Sequence, residues 1–333
     1  MKRLTIKDIA AKSGVSISTV SRVLNRKEEG MSQETREKVL QVIEELNYQP
    51  NLFARGLITK QSKLLGLVVP NIQNPFFPEL CRGAEDEANR HQYSLIICNS
   101  DDNAAKEESY LRLLNEKQVD GILLSSGDNL SVLTEKQLEY GNTPFVLMDR
   151  GGNSGKYNSI FVDNEKGGYL AGRHLIELGH RKVACIIGSK NLRNSNERLA
   201  GFRRAMMEVG MELPDDHIIN GEFHIEPAYK QSKEFLENKN VTAIFTCNDL
   251  MACGVYQAAS ELGMKIPDDL SIIGFDDIPL VSALIPKLTT IRQDIYNMGR
   301  RAAKMLIDHI EKGENDIVIF EPSIIVRGST KAI

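Results

Sequence analysis

The sequence predicts a small all-α head followed by a larger α/β body. The first sixty residues carry apolar side chains at helical spacing, as in the stretch TIKDIAAKSGVSISTVSRVLN. From residue 63 onward, short apolar runs alternate with longer amphipathic segments, which is typical of parallel sheets covered by helices. A chain of 333 residues is also too long for one ordinary core. We therefore expect separate domains.

The start of the head predicts two short helices around a tight turn. Gly14 should end the first helix, and Ser16 is placed to cap the second. The apolar stripes of the two helices are Ile6, Ile9, Ala10, Val20, Val23 and Leu24. The stripes face each other across the turn, so the pair predicts a helix-turn-helix.

A third helix should begin at the cap Ser32 and complete the core of the head. Its apolar side chains at helical spacing are Val39, Leu40, Ile43 and Leu46. The alternative is an αα-hairpin used only for packing. The run of small residues around Gly14 favours DNA binding over that alternative.

The opposite face of the second helix carries mostly short side chains. It consists of Ile17, Ser18, Ser21, Arg22 and Asn25. A helix that must lie close to the floor of a DNA major groove has this composition. Residues 1–60 carry eleven Lys and Arg against seven Asp and Glu, whereas the whole chain has a net charge of −4. A basic head on an acidic body indicates a polyanionic partner for the head.

A second DNA-binding element is predicted in PNLFARGLITKQS, residues 50–62. Asn51 is placed to cap a helix of roughly two turns, which is too short to be stable in isolation. Such a helix should fold only when docked, and so it can couple the body to the DNA.

The segment IKDIAAKSGVSISTVSRVLN, followed by LNYQPNLFARGL, resembles the head of the LacI/GalR family of repressors. The similarity covers essentially the whole chain. It implies that Leu57 wedges into the minor groove at the operator centre, with Ala54 one turn before it. It further implies that Arg22 contacts a guanine, and that Ile17 and Ser18 tune neighbouring bases. The remaining expected DNA contacts are Thr5, Ser16, Thr19, Ser21, Asn25 and Asn51, with Thr5, Ser16 and Ser21 on phosphates.

The body is predicted to bind a small ligand at its strand ends, because ligands of parallel α/β sheets lie beyond the carboxyl ends of the strands. The candidate residues that follow the apolar runs are Asn74, Phe76, Phe77, Asp149, Arg150, Arg198, Phe223, Asn248, Asp276 and Gln293. Carboxylates, amides and guanidiniums hydrogen-bond hydroxyl groups, and aromatic rings cover the C–H faces of a sugar. This set suits a small polyhydroxylated ring.

These ten residues match, one by one, the ribose pocket of the periplasmic ribose-binding proteins, whose fold the resemblance implies for the body. Phe76 and Phe77 would then flank a bound sugar. One departure is Pro70, which stands where a small polar residue is expected and removes a hydroxyl contact. The fold class is therefore an all-α helix-turn-helix head plus an α/β, periplasmic-binding-protein-like body of two doubly wound parallel-sheet subdomains.

The expected domains are the head at 1–49, a hinge helix and linker at 50–61, and an effector-binding body at 62–333. Within the body, subdomain 1 should cover about 62–163 plus 293–321. Subdomain 2 should cover about 164–292 plus 322–333. No heptad tail of the kind that makes tetramers follows SIIVRGST, so a homodimer is expected.

The N-terminus MKRLTIKDIAAKSG lacks the apolar core of a signal peptide, so we expect a cytoplasmic protein. The resemblance implies a transcriptional repressor of ribose uptake and utilisation genes, with D-ribose as its effector and operator DNA as its partner. Two alternatives stay open. One is a catabolite-control regulator with a phosphorylated carrier protein as corepressor, and the other is a repressor that responds to another small sugar or a purine.

Enzyme chemistry is not expected. The segment GGNSGKY at 151–157 lacks the first Gly and the final Ser/Thr of a P-loop. The six His show no metal-ligand spacing, and no Ser/His/Asp set is evident. We expect no cofactor, no metal and no membrane partner, since the chain has no apolar stretch of membrane-spanning length. The five scattered cysteines are expected to be free thiols.

Overall fold

The computed structural model describes residues 4–24, 30–48, 61–126, 143–150 and 156–333. The chain divides into two compact units, Met1–Lys63 and Leu64–Ile333. In the part of the chain that the model describes, no helix is long and apolar enough to cross a membrane.

The described part of the head, residues 4–24 and 30–48, contains three helices in the predicted places. They are α1 (Ile6–Ser13), α2 (Ile17–Leu24) and α3 (Gln33–Glu45). Gly14 adopts the left-handed conformation that ends α1. The hydroxyl of Ser16 accepts a hydrogen bond from the backbone N–H of Thr19, and Ser32 accepts one from Thr35. The turn and both predicted caps are therefore confirmed.

The core of the head differs from the prediction at one position. Val39 is fully buried and Ile43 and Leu46 are partly buried, but Leu40 is 39% exposed. Leu40 lies one residue past Val39, about 100° around the helix and outside the stripe that faces α1 and α2. Val42 takes its place in the core.

The described residues of the body form two six-stranded sheets. The first sheet is entirely parallel, with the strand order β11-β5-β4-β3-β1-β2. Its strands are β1 (Leu64–Val69), β2 (Ser94–Asn99), β3 (Gly121–Leu124), β4 (Phe145–Met148), β5 (Ser159–Val162) and β11 (Ile317–Phe320). Its helices are α4 (Phe76–Arg90), α5 (Ala104–Glu116) and α10 (Ile295–Lys312).

The second sheet has the strand order β12-β10-β9-β8-β6-β7. Its strands are β6 (Val183–Ile187), β7 (Ile218–Asn220), β8 (Ala243–Thr246), β9 (Ser271–Asp276), β10 (Thr289–Arg292) and β12 (Ser323–Ile325). Its helices are α6 (Asn164–Glu177), α7 (Arg193–Met207), α8 (Ile225–Asn238) and α9 (Asp249–Glu261). The edge strand β12 runs antiparallel to β10, so this sheet is not wholly parallel.

Within the ranges that the structure describes, the chain passes between the sheets three times. It leaves β5 after Val162 and starts α6 at Asn164, and it leaves β10 after Arg292 to form α10. A third passage separates β11 from β12. Side chains near these passages are therefore attached to both halves of the body.

Close helix packing fixes the second half around the site. On α6, a Cβ at Gly168 would lie 1.9 Å from the carbonyl oxygen of Arg198 on α7. Only glycine permits this approach, since a methyl group at that distance would overlap the backbone. The contact holds the Arg198 backbone against α6 and leaves its side chain to reach the site.

Candidate functional site

The exposed face of α2 is the candidate DNA interface. Ser16, Ile17, Ser18 and Arg22 are exposed, whereas Thr19 and Ser21 are half-buried. Ile17 is an apolar side chain with 44% of its surface exposed on a helix whose Val20 and Val23 are buried. Such a protruding isoleucine beside an arginine suits contact with base edges.

Two of the expected phosphate contacts already have partners within the head. The hydroxyl of Ser16 lies 2.7 Å from that of Ser18 and 2.8 Å from that of Thr19. The hydroxyl of Thr5 donates to the Asp8 carboxylate at 2.7 Å, which stabilises the start of α1. A phosphate contact would require the Thr5 hydroxyl to redirect its proton. Asn25, Asn51, Ala54 and Leu57 lie outside the described residues.

The candidate ligand site is a pocket between the two halves of the body, called here the inner pocket. It brings together nine of the ten predicted residues and adds Asn194. Its lining is Asn74, Phe76, Phe77, Asp149, Arg150, Asn194, Arg198, Phe223, Asn248 and Asp276. The tenth predicted residue, Gln293, lies directly behind Asp276 and is buried.

The aromatic walls differ from the expected arrangement. The rings of Phe76 and Phe77, at the start of α4, pack edge to face with centroids 5.0 Å apart. Two rings in such contact leave no room for a sugar between them, so the expectation that they flank it is wrong. They form one wall, and Phe223 from the other half supplies a second ring.

Arg150 connects these walls. Its guanidinium carbon lies 5.8 Å from the ring centroids of both Phe77 and Phe223. Its Nη1 donates to the carboxylate of Asp102 at the end of β2, and its Nε lies 3.8 Å from Asp149. The enclosed volume is only about 20 Å³, close to the minimum for one water molecule. A sugar would therefore have to displace Arg150 or separate the two halves.

Arg198 is fixed from several sides, although it lies on α7 rather than at a strand end. Its Nε donates to Asn164 Oδ1 at 2.8 Å, and its Nη1 donates to the carbonyl oxygen of Cys247 at 2.5 Å. The guanidinium stacks 3.7 Å from the ring centroid of Phe275 and lies 3.8 Å from Asp276 Oδ1. This network holds the guanidinium rigidly beside the pocket.

Two pocket side chains bond to residues at the passages between the halves. Gln293 Nε2 donates to Asp276 Oδ1 at 2.7 Å, and Gln293 directly follows β10. Asn164, the acceptor of the Arg198 bond, starts α6 directly after the first passage. A ligand that moves Asp276 or Arg198 therefore acts directly on the passages between the two halves of the body.

The amide residues serve both structure and site. Asn74 Oδ1 accepts from the backbone N–H of Phe76, and Asn248 Oδ1 caps α9 by accepting from Met251. Asn194 was missed because it stands between Asn191 and Asn196, and the sequence does not distinguish the three. Pro70 does not line the inner pocket; it lines a neighbouring cavity.

Three residues that line the pocket have an uncommon backbone conformation. Asp149, Phe223 and Asp276 have φ values of 58°, 58° and 116°. Positive φ is uncommon for residues other than glycine, and such strain clusters at binding sites. The Phe223 ring also occupies space that only glycine leaves open, since a Cβ at Gly188 would lie 2.1 Å from it.

Burial raises the pKa values of the pocket carboxyl groups. Burial raises the pKa of Asp276 to about 7, although Arg198 and the hydrogen bond from Gln293 lower it, while Asp149 raises it further. Burial also raises the pKa of Asp149, against the opposing effect of Arg150 and Arg198. Asp249 lies behind Asp276, and burial and the Asp276 charge raise its pKa strongly.

These shifts predict that the unliganded protein loses stability as the pH rises from about 4 towards 8. The native state holds the Asp276 proton up to a pKa of about 7, against 3.8 for the ordinary carboxyl group. Unfolding therefore releases a proton between these values, and the free energy of unfolding falls by about 1.4 kcal/mol per pH unit. The free energy of unfolding, measured by thermal unfolding at pH 5 and pH 8, should fall less between these pH values in Asp276→Asn than in wild type.

The matched control for this experiment is Asp268→Asn. Asp268 is exposed, and its hydrogen bond from Lys331 lowers its pKa. Its replacement should leave the pH dependence between 5 and 8 unchanged. If the free energy of unfolding of Asp276→Asn fell as steeply with pH as that of wild type, the assignment of this proton to Asp276 would be contradicted. Asp149 and Asp249 should keep part of the dependence in either variant.

Three buried polar atoms around the pocket have no hydrogen-bond partner among the described residues: Asp149 Oδ1, Arg150 Nε and Gln293 Oε1. Buried polar atoms are nearly always paired, so three such atoms around one pocket indicate a polar ligand. No group of His, Cys, Asp or Glu in the described part of the chain could hold a metal ion. The arrangement can therefore bind and desolvate a polar molecule.

Comparison with known proteins covers both units. Residues 62–321 match the family model described as periplasmic binding proteins and sugar binding domain of LacI family. Residues 5–51 match the model of bacterial regulatory proteins, lacI family. The matches therefore include the helix-turn-helix and nearly the whole body.

Two curated relatives resemble the chain over almost its full length. The ribose operon repressor of Halalkalibacterium halodurans is 41% identical over 330 residues, which cover 98% of this chain and 97% of the relative. The HTH-type transcriptional repressor PurR of Vibrio parahaemolyticus is 38% identical over 332 residues, 99% of both chains. The two relatives are almost equally similar.

Two solved structures share the fold. The lac repressor dimer bound to operator and the anti-inducer ONPF has a TM-score of 0.90 at 28% identity, covering 99% of this chain and 100% of that chain. A LacI family regulator from Enterococcus faecium with bound ribose has a TM-score of 0.74 at 32% identity, covering 81% and 99%. The predicted fold class is confirmed, and the chain belongs to the LacI family of ligand-responsive, DNA-binding transcriptional repressors, which are not enzymes.

Proposed function

We propose that this repressor controls genes of ribose uptake and utilisation, with D-ribose as its effector. The observation that carries the proposal is the inner pocket. It combines two carboxyl groups, two guanidiniums, three amides and three aromatic rings in one buried site. Hydroxyl groups donate to carboxylates and accept from guanidiniums, so a polyhydroxylated ring can satisfy such a set.

The polar atoms without partners provide the first contacts for the sugar. Asp149 Oδ1 would accept from a hydroxyl group and Arg150 Nε would donate to one, whereas Gln293 Oε1 lies behind Asp276. Phe77 and Phe223 would cover opposite faces of the ring once Arg150 leaves the space between them. Because these residues come from both halves, the bound sugar would hold the halves together.

The relatives do not decide between a sugar and a purine. The ribose operon repressor and the ribose-bound regulator favour ribose, but PurR repressors are nearly as similar over the whole chain. The carboxyl groups favour a sugar over a purine, since a purine would face fewer carboxylates. A purine or another sugar is the second candidate, and a phosphorylated carrier protein as corepressor is the third.

For DNA binding, we infer a homodimer on a pseudo-palindromic operator with a central C·G step. A twofold dimer binds two half-sites related by the same symmetry. The head, at 1–49, would read the half-sites, and the hinge segment 50–61 would insert Leu57 at the centre. The body would divide into subdomain 1 at about 62–163 plus 293–321 and subdomain 2 at about 164–292 plus 322–333.

The test is the affinity of wild-type protein for its operator with and without millimolar ribose, guanine or hypoxanthine, and several other pentoses. We expect ribose alone to weaken operator binding, because a sugar that fixes the relative position of the two halves of the body would change the spacing of the two hinge segments. By linkage, the operator must weaken ribose binding by the same factor. The salt concentration must be held fixed, because affinity should fall steeply with salt.

A purine that changes operator affinity where ribose does not would replace ribose as the effector. An effect of a phosphorylated carrier protein in the absence of any small ligand would favour the third candidate. Tighter operator binding with ribose would keep ribose as the effector but reverse the direction of the response.

A further inference from the structure

The guanidinium of Arg150 fills the space between the two aromatic walls of the inner pocket. Its central carbon lies 5.8 Å from the ring centroids of both Phe77 and Phe223, which is within the range of a cation–π contact. Only 5% of the surface of Arg150 is exposed, and the pocket around it encloses about 20 Å³. A sugar ring that enters between Phe77 and Phe223 must therefore take the place of this guanidinium.

A carboxylate outside the inner pocket holds Arg150 in this position. Arg150 Nη1 donates a hydrogen bond to Asp102 Oδ1. Asp102 belongs to the lining of a larger neighbouring cavity of about 410 Å³, called here the outer cavity, and not to the described lining of the inner pocket. Hydrogen bonds between two charged groups are stronger than those between neutral groups. The bond therefore stabilises the arrangement in which Arg150 fills the pocket.

The local backbone fixes the place of the Asp102 carboxylate. Asp102 stands in the turn after β2 with a φ of 53°, and its N–H donates to the carbonyl oxygen of Pro70, which directly follows β1. The aspartate side chain is short, so its carboxylate stays close to this turn. Arg150 cannot move far from Phe77 and Phe223 without losing the bond to Asp102.

The guanidinium also has unused capacity for hydrogen bonds. Arg150 Nε has no hydrogen-bond partner among the described residues, although it lies 3.8 Å from the Asp149 carboxylate. Asp149 Oδ1 likewise has no partner among them. A guanidinium carries five N–H donors, and a hydroxyl group both accepts and donates. A sugar hydroxyl can therefore accept from Arg150 and donate to Asp149, which gives Arg150 a partner in place of Asp102.

We propose that Asp102 competes with the sugar for Arg150 and so sets the affinity for the sugar without touching it. This inference rests on the proposed function, since it concerns the sugar that the inner pocket binds. The sugar inserts between Phe77 and Phe223, Arg150 turns towards the sugar, and its bond to Asp102 breaks. An interaction that is present before binding and lost on binding lowers the affinity for the ligand. Asp102 is thus a positioning residue that opposes binding.

The test is calorimetric titration of the full-length protein with D-ribose. Asp102→Asn removes the charge of the acceptor and keeps a side chain that tolerates the left-handed backbone. It should bind ribose about three- to tenfold more tightly than wild type, because the lost ion pair has one buried and one half-exposed partner. Asp102→Gly, which adopts this backbone conformation without strain, should show a gain in the same direction.

The matched control is Asp101→Asn. Asp101 precedes Asp102 in the same turn, also has a positive φ of 54°, and pairs with Lys106 instead of Arg150. It lies outside the described lining of both cavities. Its replacement removes the same charge from the same turn, and it should leave the affinity for ribose unchanged.

Salt provides a second readout, which a merely structural role of Asp102 would not change. Ribose is neutral, so its own contacts with the protein depend little on ionic strength. Salt weakens the partly exposed pair of Arg150 and Asp102, so wild type should bind ribose more tightly at high than at low salt concentration. This salt dependence should be largely lost in Asp102→Asn and kept in Asp101→Asn.

The outcomes separate this inference from the proposed function. If wild type binds ribose but both Asp102 variants bind it equally well or more weakly, the inference is wrong and the proposed function stands. An equal gain of affinity in Asp101→Asn would also overturn the inference, since the loss of charge and not the loss of the Arg150 bond would then be the cause. If wild type does not bind ribose, the inference fails together with the proposed function.

Discussion

Asp276→Ala should abolish the response of the repressor to ribose while leaving operator binding intact. In the wild-type structure, Asp276 accepts from Gln293 at 2.7 Å and lies 3.8 Å from the Arg198 guanidinium. Its removal deprives a sugar hydroxyl of its acceptor and leaves buried partners unsatisfied. The expected loss of ribose affinity is about 2–4 kcal/mol, or roughly 30- to 1000-fold. Asp276 lies in the body, so the exposed face of α2, the candidate DNA interface, should be unaffected.

The decisive measurement is operator affinity of wild type and variant, each with and without millimolar ribose. Asp268→Ala is the matched control, because it removes an exposed carboxylate of the same half that pairs with Lys331. The control should respond as wild type does. An equal response in Asp276→Ala and wild type would remove Asp276 from the site. Weaker operator binding by the Asp276 variant without ribose would mean that Asp276 stabilises the fold rather than the bound ligand.

The sequence predicts the second sheet less completely than the first. The run TAIFTC of β8 and the run LSIIGF of β9 are buried on both sides and read clearly as strands. The three-residue strand β7 has one buried residue, Ile219, β12 has none, and neither strand has a comparable apolar run. Edge strands contact one neighbour, so their position depends on pairing that no local pattern records.

The residue types of the site were predictable, but their geometry was not. The carboxyl ends of β8 and β9 meet at one edge of the second sheet, which places Asn248 and Asp276 near each other, whereas Asp149 follows β4 of the first sheet and reaches them across the pocket. The contact between Phe76 and Phe77 depends on the helix that starts there. The bond from Arg198 to Asn164 joins residues on two helices. Such contacts arise from tertiary packing and leave no periodic signal.

In α2 as well, helical spacing predicts which side chains are buried but does not predict their hydrogen bonds. The buried Val20 and Val23 follow from helical spacing, and the exposure of Ile17 and Arg22 follows from the same rotation. The hydroxyl network of Ser16, Ser18 and Thr19 does not follow from spacing, because each hydroxyl has several possible partners. Which base each side chain contacts depends on how the helix enters the groove.

Arg22→Ala should weaken operator binding selectively. A bidentate arginine–guanine contact contributes about 1–3 kcal/mol of discrimination, and a dimer would lose one such contact in each half-site. Arg22→Lys is the matched control for charge, because lysine keeps the positive charge but lacks the planar fork. Both variants should lose discrimination between the operator and a duplex with the contacted G·C pair replaced. Arg22→Lys alone should keep the affinity of wild type for random DNA and its salt dependence.

If Arg22→Ala instead lost affinity equally on operator and random DNA, while Arg22→Lys bound both as wild type does, Arg22 would be a phosphate contact. The base-reading role would then pass to the exposed neighbours Ile17 and Ser18.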